Sequence, residues 1–419
     1  MGQFVVTGGR RLAGTFVVSG SKNAALPILA ATTLVAAPVT LTGVPLGLLD
    51  VRHMLAMLRE LGVRVVVAGP DAVTVDARGP LSPDLPDVFT RTMRASVFLM
   101  GPILGRLGRV TVSRPGGCNI GARPIDLHLK GLAALSVRFG DGPGGHIVGE
   151  GPQLRGAAIY LDLPSVGATE NVMMASVAAV GDTVIENAAR EPEVVDLAQF
   201  LNAMGAAVHG AGTDRIWIQG GRALSGGTYE LIPDRIEAGT VAVATAMTGG
   251  DVTLSHVIPE HLTPLWHKLS EMGVAVELVG QTVRVSAPGA LSAASLRTGP
   301  HPGFPTDLQP LMLALMTQAH GCSTLVETVF ENRLRHALEL RRMGANVLTD
   351  GRMAVIYGPT PLAGAVVEAT DLRAGAALMV AGLGARGTTA VLGAEMVARG
   401  YQDWAPRLSR LGASVALES

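Results

Sequence analysis

One arrangement of apolar and polar positions recurs along the chain. Two apolar residues three apart, then Gly, then Ala or Val, precede a β-type run. The copies are Leu58-Arg-Glu-Leu-Gly62, Leu132-Ala-Ala-Leu-Ser136, Leu201-Asn-Ala-Met-Gly205, Leu269-Ser-Glu-Met-Gly273, Leu340-Arg-Arg-Met-Gly344 and Leu408-Ser-Arg-Leu-Gly412. Their Gly positions are spaced 74, 69, 68, 71 and 68 residues apart, counting Ser136 as the second. Apolar residues at this spacing form one helix face, and a glycine just past the end stops the helix. The pattern predicts six amphipathic surface helices, each leading into a strand.

Each unit also predicts a second helix, rich in small residues. These start near Ser21-Lys22-Asn23, Met93-Arg94-Ala95, Ser165-Val166-Gly167, Pro233-Asp234-Arg235, Pro305-Thr306-Asp307 and Thr370-Asp371-Leu372-Arg373. Bodies such as 24–34, 239–247 and 375–383 are apolar on nearly every side, which means burial all round. The reading is an α/β fold of six modules, three per domain, dividing near Ile232-Pro233-Asp234.

Charge gathers at the starts of the buried helices. Asp234 and Asp307 suit helix caps. Lys22, Arg94 and Arg373 do not, because a cation at a helix N-terminus opposes the dipole unless an anion binds there. They predict a small substrate with several negative groups.

Composition narrows the class. The 419 residues are 48% hydrophobic with a mean hydropathy of +0.37, enough for large cores. A net charge of −1 and a 4% aromatic share argue against nucleic acid or a membrane surface as partner. Two cysteines, Cys118 and Cys322, are too few for a disulfide scaffold or a zinc site. The opening Met-Gly-Gln-Phe-Val-Val reads as a strand without a basic leader, and runs such as 98–104 are too short to span a bilayer. A cytoplasmic protein with free thiols is expected.

Chemistry concentrates in Ser113-Arg-Pro-Gly-Gly-Cys-Asn-Ile-Gly-Ala-Arg-Pro-Ile-Asp-Leu-His128. Pro115, Gly116 and Gly117 prevent a helix before the thiol. Arg123 follows five residues later. A lone cysteine in a turn is ordinarily a small apolar residue. Beside a guanidinium on a flexible loop, the Cys118 thiol is placed to ionise and reach a substrate.

These segments resemble the UDP-N-acetylglucosamine 1-carboxyvinyltransferases, enolpyruvyl transferases that open peptidoglycan synthesis. The matching stretches include Ser19-Gly-Ser-Lys-Asn-Ala-Ala-Leu-Pro27, the loop 115–128, Pro164-Ser-Val-Gly-Ala-Thr-Glu-Asn171 and Glu186-Asn-Ala-Ala-Arg-Glu-Pro192. Pro233-Asp-Arg-Ile-Glu237, Pro302-Gly-Phe-Pro-Thr-Asp-Leu-Gln309, Glu327-Thr-Val-Phe-Glu-Asn-Arg333 and Thr370-Asp-Leu-Arg-Ala374 follow in order. The resemblance implies a two-domain inside-out α/β barrel, the enolpyruvyl transferase fold, with three β-α-β-α-β-β repeats per domain. One domain would be 22–233 with a mobile Cys loop at about 113–124, the other 1–21 with 234–419, and the active site would lie in the cleft.

The implied reaction adds phosphoenolpyruvate to the sugar 3′-hydroxyl and then eliminates phosphate. Matched position by position, Lys22, Arg123 and Arg399 clamp the phosphate, while Arg333 and Arg373 clamp the carboxylate. Asp307 is the base, and Cys118 is the general acid and the thiol that fosfomycin alkylates. Asn23 and Asp307 would hold the sugar; Arg123, Pro124, Asp126 and Leu127 would line the uridine pocket. Ser165, Val166 and Gly167 would offer backbone N–H groups to the diphosphate, Arg94 adds charge, and Val329 completes the substrate-binding set. No metal or organic cofactor is implied.

The chain departs from the pattern of the family it resembles in places. Glu395-Met-Val-Ala398 replaces the usual Tyr-His-Ile-Asp before Arg399-Gly-Tyr401, and Leu334-Arg335 replaces Phe-Met. The second helix stop is Ser136, and Gly142-Pro-Gly-Gly145 replaces a plainer turn. These changes leave UMP open as an alternative acceptor, as in enolpyruvyl transferases of nucleoside-antibiotic pathways.

Overall fold

The computed structural model describes residues 2–90, 93–114, 120–121 and 124–418. They fall into two compact units. One contains residues 2–19, 120–121 and 233–418, the other residues 20–90, 93–114 and 124–232. Each unit has its own apolar core.

The recurring pattern translates directly into backbone. Gly62, Gly205, Gly273, Gly344 and Gly412 all take positive φ, between 92° and 104°, and Ser136 takes 74°. Two residues beyond each stop a strand begins: Arg64–Val67, Arg138–Asp141, Ala207–His209, Ala275–Val279, Asn346–Asp350 and Ser414–Glu418. The left-handed residue turns the chain off the helix axis, and glycine does this without a Cβ clash.

Among the described residues each unit holds three sheets. In the larger ones three strands run antiparallel and a further strand joins parallel at the edge. Gly227–Glu230 joins Pro38–Thr42 in this way, and Ala158–Tyr160 joins Asp182–Glu186. In the other unit Ala13–Val17 lies parallel to Asp251–Ser255, and Val366–Glu368 to Thr388–Leu392. The first strand, Gln3–Thr7, sits between Thr388–Leu392 and Ser414–Glu418.

The sheets surround helices α1 (Lys22–Ala31), α2 (Met100–Leu107), α3 (Val166–Val177), α4 (Arg235–Met247), α5 (Gln309–Met316) and α6 (Leu372–Gly384). Apart from the last turn of α2, where Leu107 is exposed, their bodies are buried on all sides, as continuous small and apolar residues demand. The second does not begin as an α-helix: residues Arg94–Leu99 form a 3₁₀ segment before α2. Thr306–Leu308 does the same before α5.

The chain leaves one unit for the other at Ser19-Gly20 and returns at Ile232-Pro233, and residues 120–121, in between, also belong to the first unit. Asp234 N–H donates to the Ser19 carbonyl at 2.8 Å, and Ser21 N–H donates to the Ile232 carbonyl at 2.8 Å. Glu237 accepts the Ser19 N–H at 2.7 Å and pairs with Arg407. The Arg407 guanidinium stacks 4.2 Å over the Phe16 ring.

Candidate active site

Within the unit that carries residues 233–418, two loops and one helix start converge on a charged cluster. Asp307 lies in the 3₁₀ turn before α5, Arg333 follows the strand Ala319–Val326, and Arg373 is the second residue of α6. Arg333 Nη2 donates to Asp307 Oδ1 at 3.0 Å. Arg373 donates to Oδ2 from Nε at 3.1 Å, and its Nη2 lies 3.0 Å away. The two guanidinium side chains are 2% and 3% exposed, the carboxylate 27%. Asp307 is therefore no helix cap; it neutralises two buried cations.

That neutralisation is incomplete. Arg333 Nε and Arg373 Nη1 are buried donors without a hydrogen-bond partner. Buried donors of this kind are costly unless something accepts from them. Guanidinium forks suit a carboxylate, which makes a planar anion the fitting partner for this pair. The rings of Phe330 and Tyr401 lie 5.5 Å and 5.4 Å from the guanidinium carbons of Arg333 and Arg373. Tyr401 Oη is 2.8 Å from Thr240 Oγ1 in the core, and burial pushes its phenol pKa up, so the ring stays neutral beside Arg373.

Glu327 builds the corner that holds these groups. It is 1% exposed and accepts from Thr298 Oγ1 (2.9 Å), Thr306 Oγ1 (2.9 Å), Val329 N–H (2.7 Å) and Phe330 N–H (3.1 Å). One carboxylate thereby ties the turn bearing Asp307 to the loop bearing Val329 and Arg333. From sequence Glu327 is one residue of the motif 327–333 without a role of its own, and its only signal is an acid directly after an apolar strand. Arg399 closes the short helix Ala394–Ala398 and is half-buried. Asn332 N–H donates to the Ile120 carbonyl at 3.1 Å, which brings the end of the Cys loop to the loop of Arg333. Cys118 and Arg123 themselves lie outside the described residues.

The other unit carries the remaining predicted residues. Lys22 opens α1, is almost wholly buried and pairs with Asp50 at 3.4 Å. The N-terminal cations Lys22 and Arg373 thus have carboxylates facing them, which lowers the cost that sequence reasoning assigned to bound anions alone. Ser21 and Ser165 cap α1 and α3, accepting from Ala24 and Ala168 N–H at 3.3 Å and 3.4 Å. Asn23, Arg94, Ser165, Val166 and Gly167 are half-buried at helix starts. Pro124 and Asp126 are exposed and Leu127 is half-buried, at the start of the helix Asp126–Ala134. Among the described residues no cluster of His, Cys, Asp and Glu could hold a metal, and no helix is long and apolar enough to cross a membrane.

Comparison with known proteins points one way. The family model described as EPSP synthase (3-phosphoshikimate 1-carboxyvinyltransferase) matches residues 6–408. UDP-N-acetylglucosamine 1-carboxyvinyltransferase 1 of Symbiobacterium thermophilum is 50% identical, over 99% of this chain and 95% of its own length. The protein of the same name from Halalkalibacterium halodurans is 49% identical, over 99% and 94%. The crystal structure of the enolpyruvyl transferase NikO from Streptomyces tendae superposes with a TM-score of 0.91 at 25% identity, covering 100% and 99% of the two chains. EPSP synthase from Acinetobacter baumannii shares the fold, with a TM-score of 0.74 at 20% identity and full coverage of both.

Proposed function

The chain belongs to the EPSP synthase family of enolpyruvyl transferases, and from that premise we propose that it transfers the enolpyruvyl group of phosphoenolpyruvate to the 3′-hydroxyl of UDP-N-acetylglucosamine, releasing phosphate. This is the entry step of peptidoglycan synthesis, a cytoplasmic reaction. The observation that carries the reading is the Arg333–Asp307–Arg373 cluster with its two unanswered buried donors.

The chemistry needs an anion clamp, a base and an acid. In the addition, the hydroxyl oxygen bonds to C2 of phosphoenolpyruvate while C3 gains a proton and becomes a methyl group. In the elimination, the C2–O bond to phosphate breaks and the methyl group returns a proton. Arg333 and Arg373 are assigned to the substrate carboxylate. Both Asp307 oxygens are held by those same guanidinium groups. A substrate carboxylate competes for them and releases Asp307 to accept the proton of the sugar hydroxyl. Lys22, Arg123 and Arg399 are assigned to the phosphate, and Cys118 is the acid that protonates C3. The uridine diphosphate goes to Arg94, the segment 123–127 and the start of α3.

The test is phosphate release from phosphoenolpyruvate with UDP-N-acetylglucosamine and UMP as parallel acceptors. Release with the UDP-sugar supports the proposal. Release with UMP alone, or with neither, overturns it. Cys118→Ser should also abolish covalent labelling by fosfomycin.

A further inference from the structure

Asn171 lies in the middle of α3 and is fully buried, beside the equally buried Glu170 in a helix whose other residues are small or apolar. Its carboxamide makes three hydrogen bonds, none within its own helix. Oδ1 accepts from Gly101 N–H at 2.6 Å, and Nδ2 donates to the Val97 carbonyl at 2.7 Å. The second Nδ2 hydrogen points to His128 Nδ1 at 3.0 Å. The orientation is set by chemistry: a peptide N–H needs an acceptor and a carbonyl needs a donor, so the amide has one consistent placement.

Val97 and Gly101 are four residues apart, the spacing of one α-helical hydrogen bond. The Asn171 amide occupies that rung, accepting where the carbonyl would accept and donating where the N–H would donate. A side chain inserted into the ladder bends or breaks a helix. Here the break falls where the 3₁₀ segment Arg94–Leu99 meets α2. Only glycine fits at 101, since a Cβ there would lie 2.2 Å from the Asn171 carbonyl oxygen.

The third bond reaches the next element. Because Nδ2 donates to it, His128 Nδ1 is an acceptor, so the imidazole is neutral with its proton on Nε2. That edge of the ring sits over Gly167, where a Cβ would lie 3.2 Å from Nε2. The His128 helix packs tightly on α3: a Cβ on Gly131 would lie 2.3 Å from Val172 Cγ2. One amide therefore joins the segment starting at Arg94, the helix starting at Asp126 and α3 starting at Ser165-Val166-Gly167.

We propose that Asn171 is a positioning residue for the nucleotide sugar: by replacing one helical rung at Val97–Gly101 and fixing His128, it sets where Arg94 and the Asp126 helix meet the uridine diphosphate. The inference rests on the assignment of those residues to UDP-N-acetylglucosamine. It makes Asn171 important for that substrate and indifferent to phosphoenolpyruvate.

The test uses the full-length enzyme with Asn171→Asp, which keeps shape and acceptor but loses both donors, and Asn171→Leu as a second variant. Titration with UDP-N-acetylglucosamine should show affinity falling about tenfold in Asn171→Asp, the scale of one charged phosphate contact. The KM for phosphoenolpyruvate should stay within about twofold, because a residue that only stabilised the fold would not separate the two substrates. Combined with Arg94→Ala, the Asn171 change should add little further loss, since both remove the same contact. Hydrogen exchange in peptides covering 94–101 should speed up in both variants. Unchanged exchange, unchanged UDP-sugar affinity, equal losses for both substrates or full additivity with Arg94→Ala would each overturn the inference. If the wild-type enzyme binds no UDP-sugar, the functional assignment fails instead, while the exchange measurement still decides whether Asn171 holds the segment.

Discussion

Asp307→Ala separates the catalytic and structural duties of one carboxylate. From sequence alone, the substitution reads as a loss of turnover with the fold intact. The geometry adds a second effect, because alanine leaves Arg333 and Arg373 as two nearly buried cations facing each other without a counter-charge. Removing one partner of a buried ion pair costs about 3–5 kcal/mol. Asp307 is 27% exposed, so water softens the loss to roughly 2–3 kcal/mol. For a unit of this size that corresponds to a melting temperature lower by about 5–10 °C. A planar anion should reverse it, because it supplies the missing charge. Phosphoenolpyruvate at ~100 times its Kd returns about 2.7 kcal/mol. The wild-type enzyme should gain less, since there the ligand must first displace Asp307. Thermal melts of both proteins with and without phosphoenolpyruvate, alongside phosphate release, read every term. An inactive variant that melts like the wild type, or gains no more from the ligand, would refute this reasoning.

Three further outcomes are expected. Ser136→Gly should raise stability by roughly 0.5–1 kcal/mol, because Ser136 holds φ at 74° where the five equivalent positions are glycine; a chemical denaturation midpoint at or below wild type would count against it. Asp196 is buried and accepts from Tyr229 Oη at 2.6 Å, and burial pushes its carboxyl up to about 6. Its proton is held more tightly in the folded state, so the stability it supports is complete below the ordinary carboxylate range and is lost as pH rises through about 6. Asp196→Asn should therefore gain on wild type between pH 4 and 7, approaching ~3 kcal/mol, and a pH-independent difference would contradict this. Glu327→Ala should raise the KM for phosphoenolpyruvate about tenfold through the displaced Arg333 loop. The KM for the UDP-sugar should hold, and steady-state kinetics with each substrate varied in turn would expose a general loss instead.

Local rules made much of the backbone legible. Gly62, Gly205, Gly273, Gly344 and Gly412 mark helix stops because few other residues tolerate that conformation, and Ser136 occupies it despite its Cβ. The buried helices were legible for the same kind of reason, since Ala-rich apolar runs leave no face for water. Convergence was not. Asp307 and Arg373 are separated by 66 residues, and only a resemblance brings them together before a structure does. Asn171 was equally hidden, since a polar residue in an apolar helix does not disclose that its partners are Val97, Gly101 and His128. The cations were half-legible: Lys22 and Arg373 stood out at helix starts, but their carboxylate partners Asp50 and Asp307 come from distant segments.

The first strand has a consequence for synthesis on the ribosome. Val5 pairs with Ala390 on one side and Ala416 on the other. The unit of residues 20–232, by contrast, draws every strand of its sheets from one continuous stretch. At about 5–20 residues per second, Gln3–Thr7 waits roughly 20–80 s for its partners while that continuous unit can already fold. For that interval a short apolar strand is exposed with both edges open, the hazard that folded proteins ordinarily cover. Slow translation of the final 30 residues should therefore raise the demand for chaperones more than the same delay placed before residue 232.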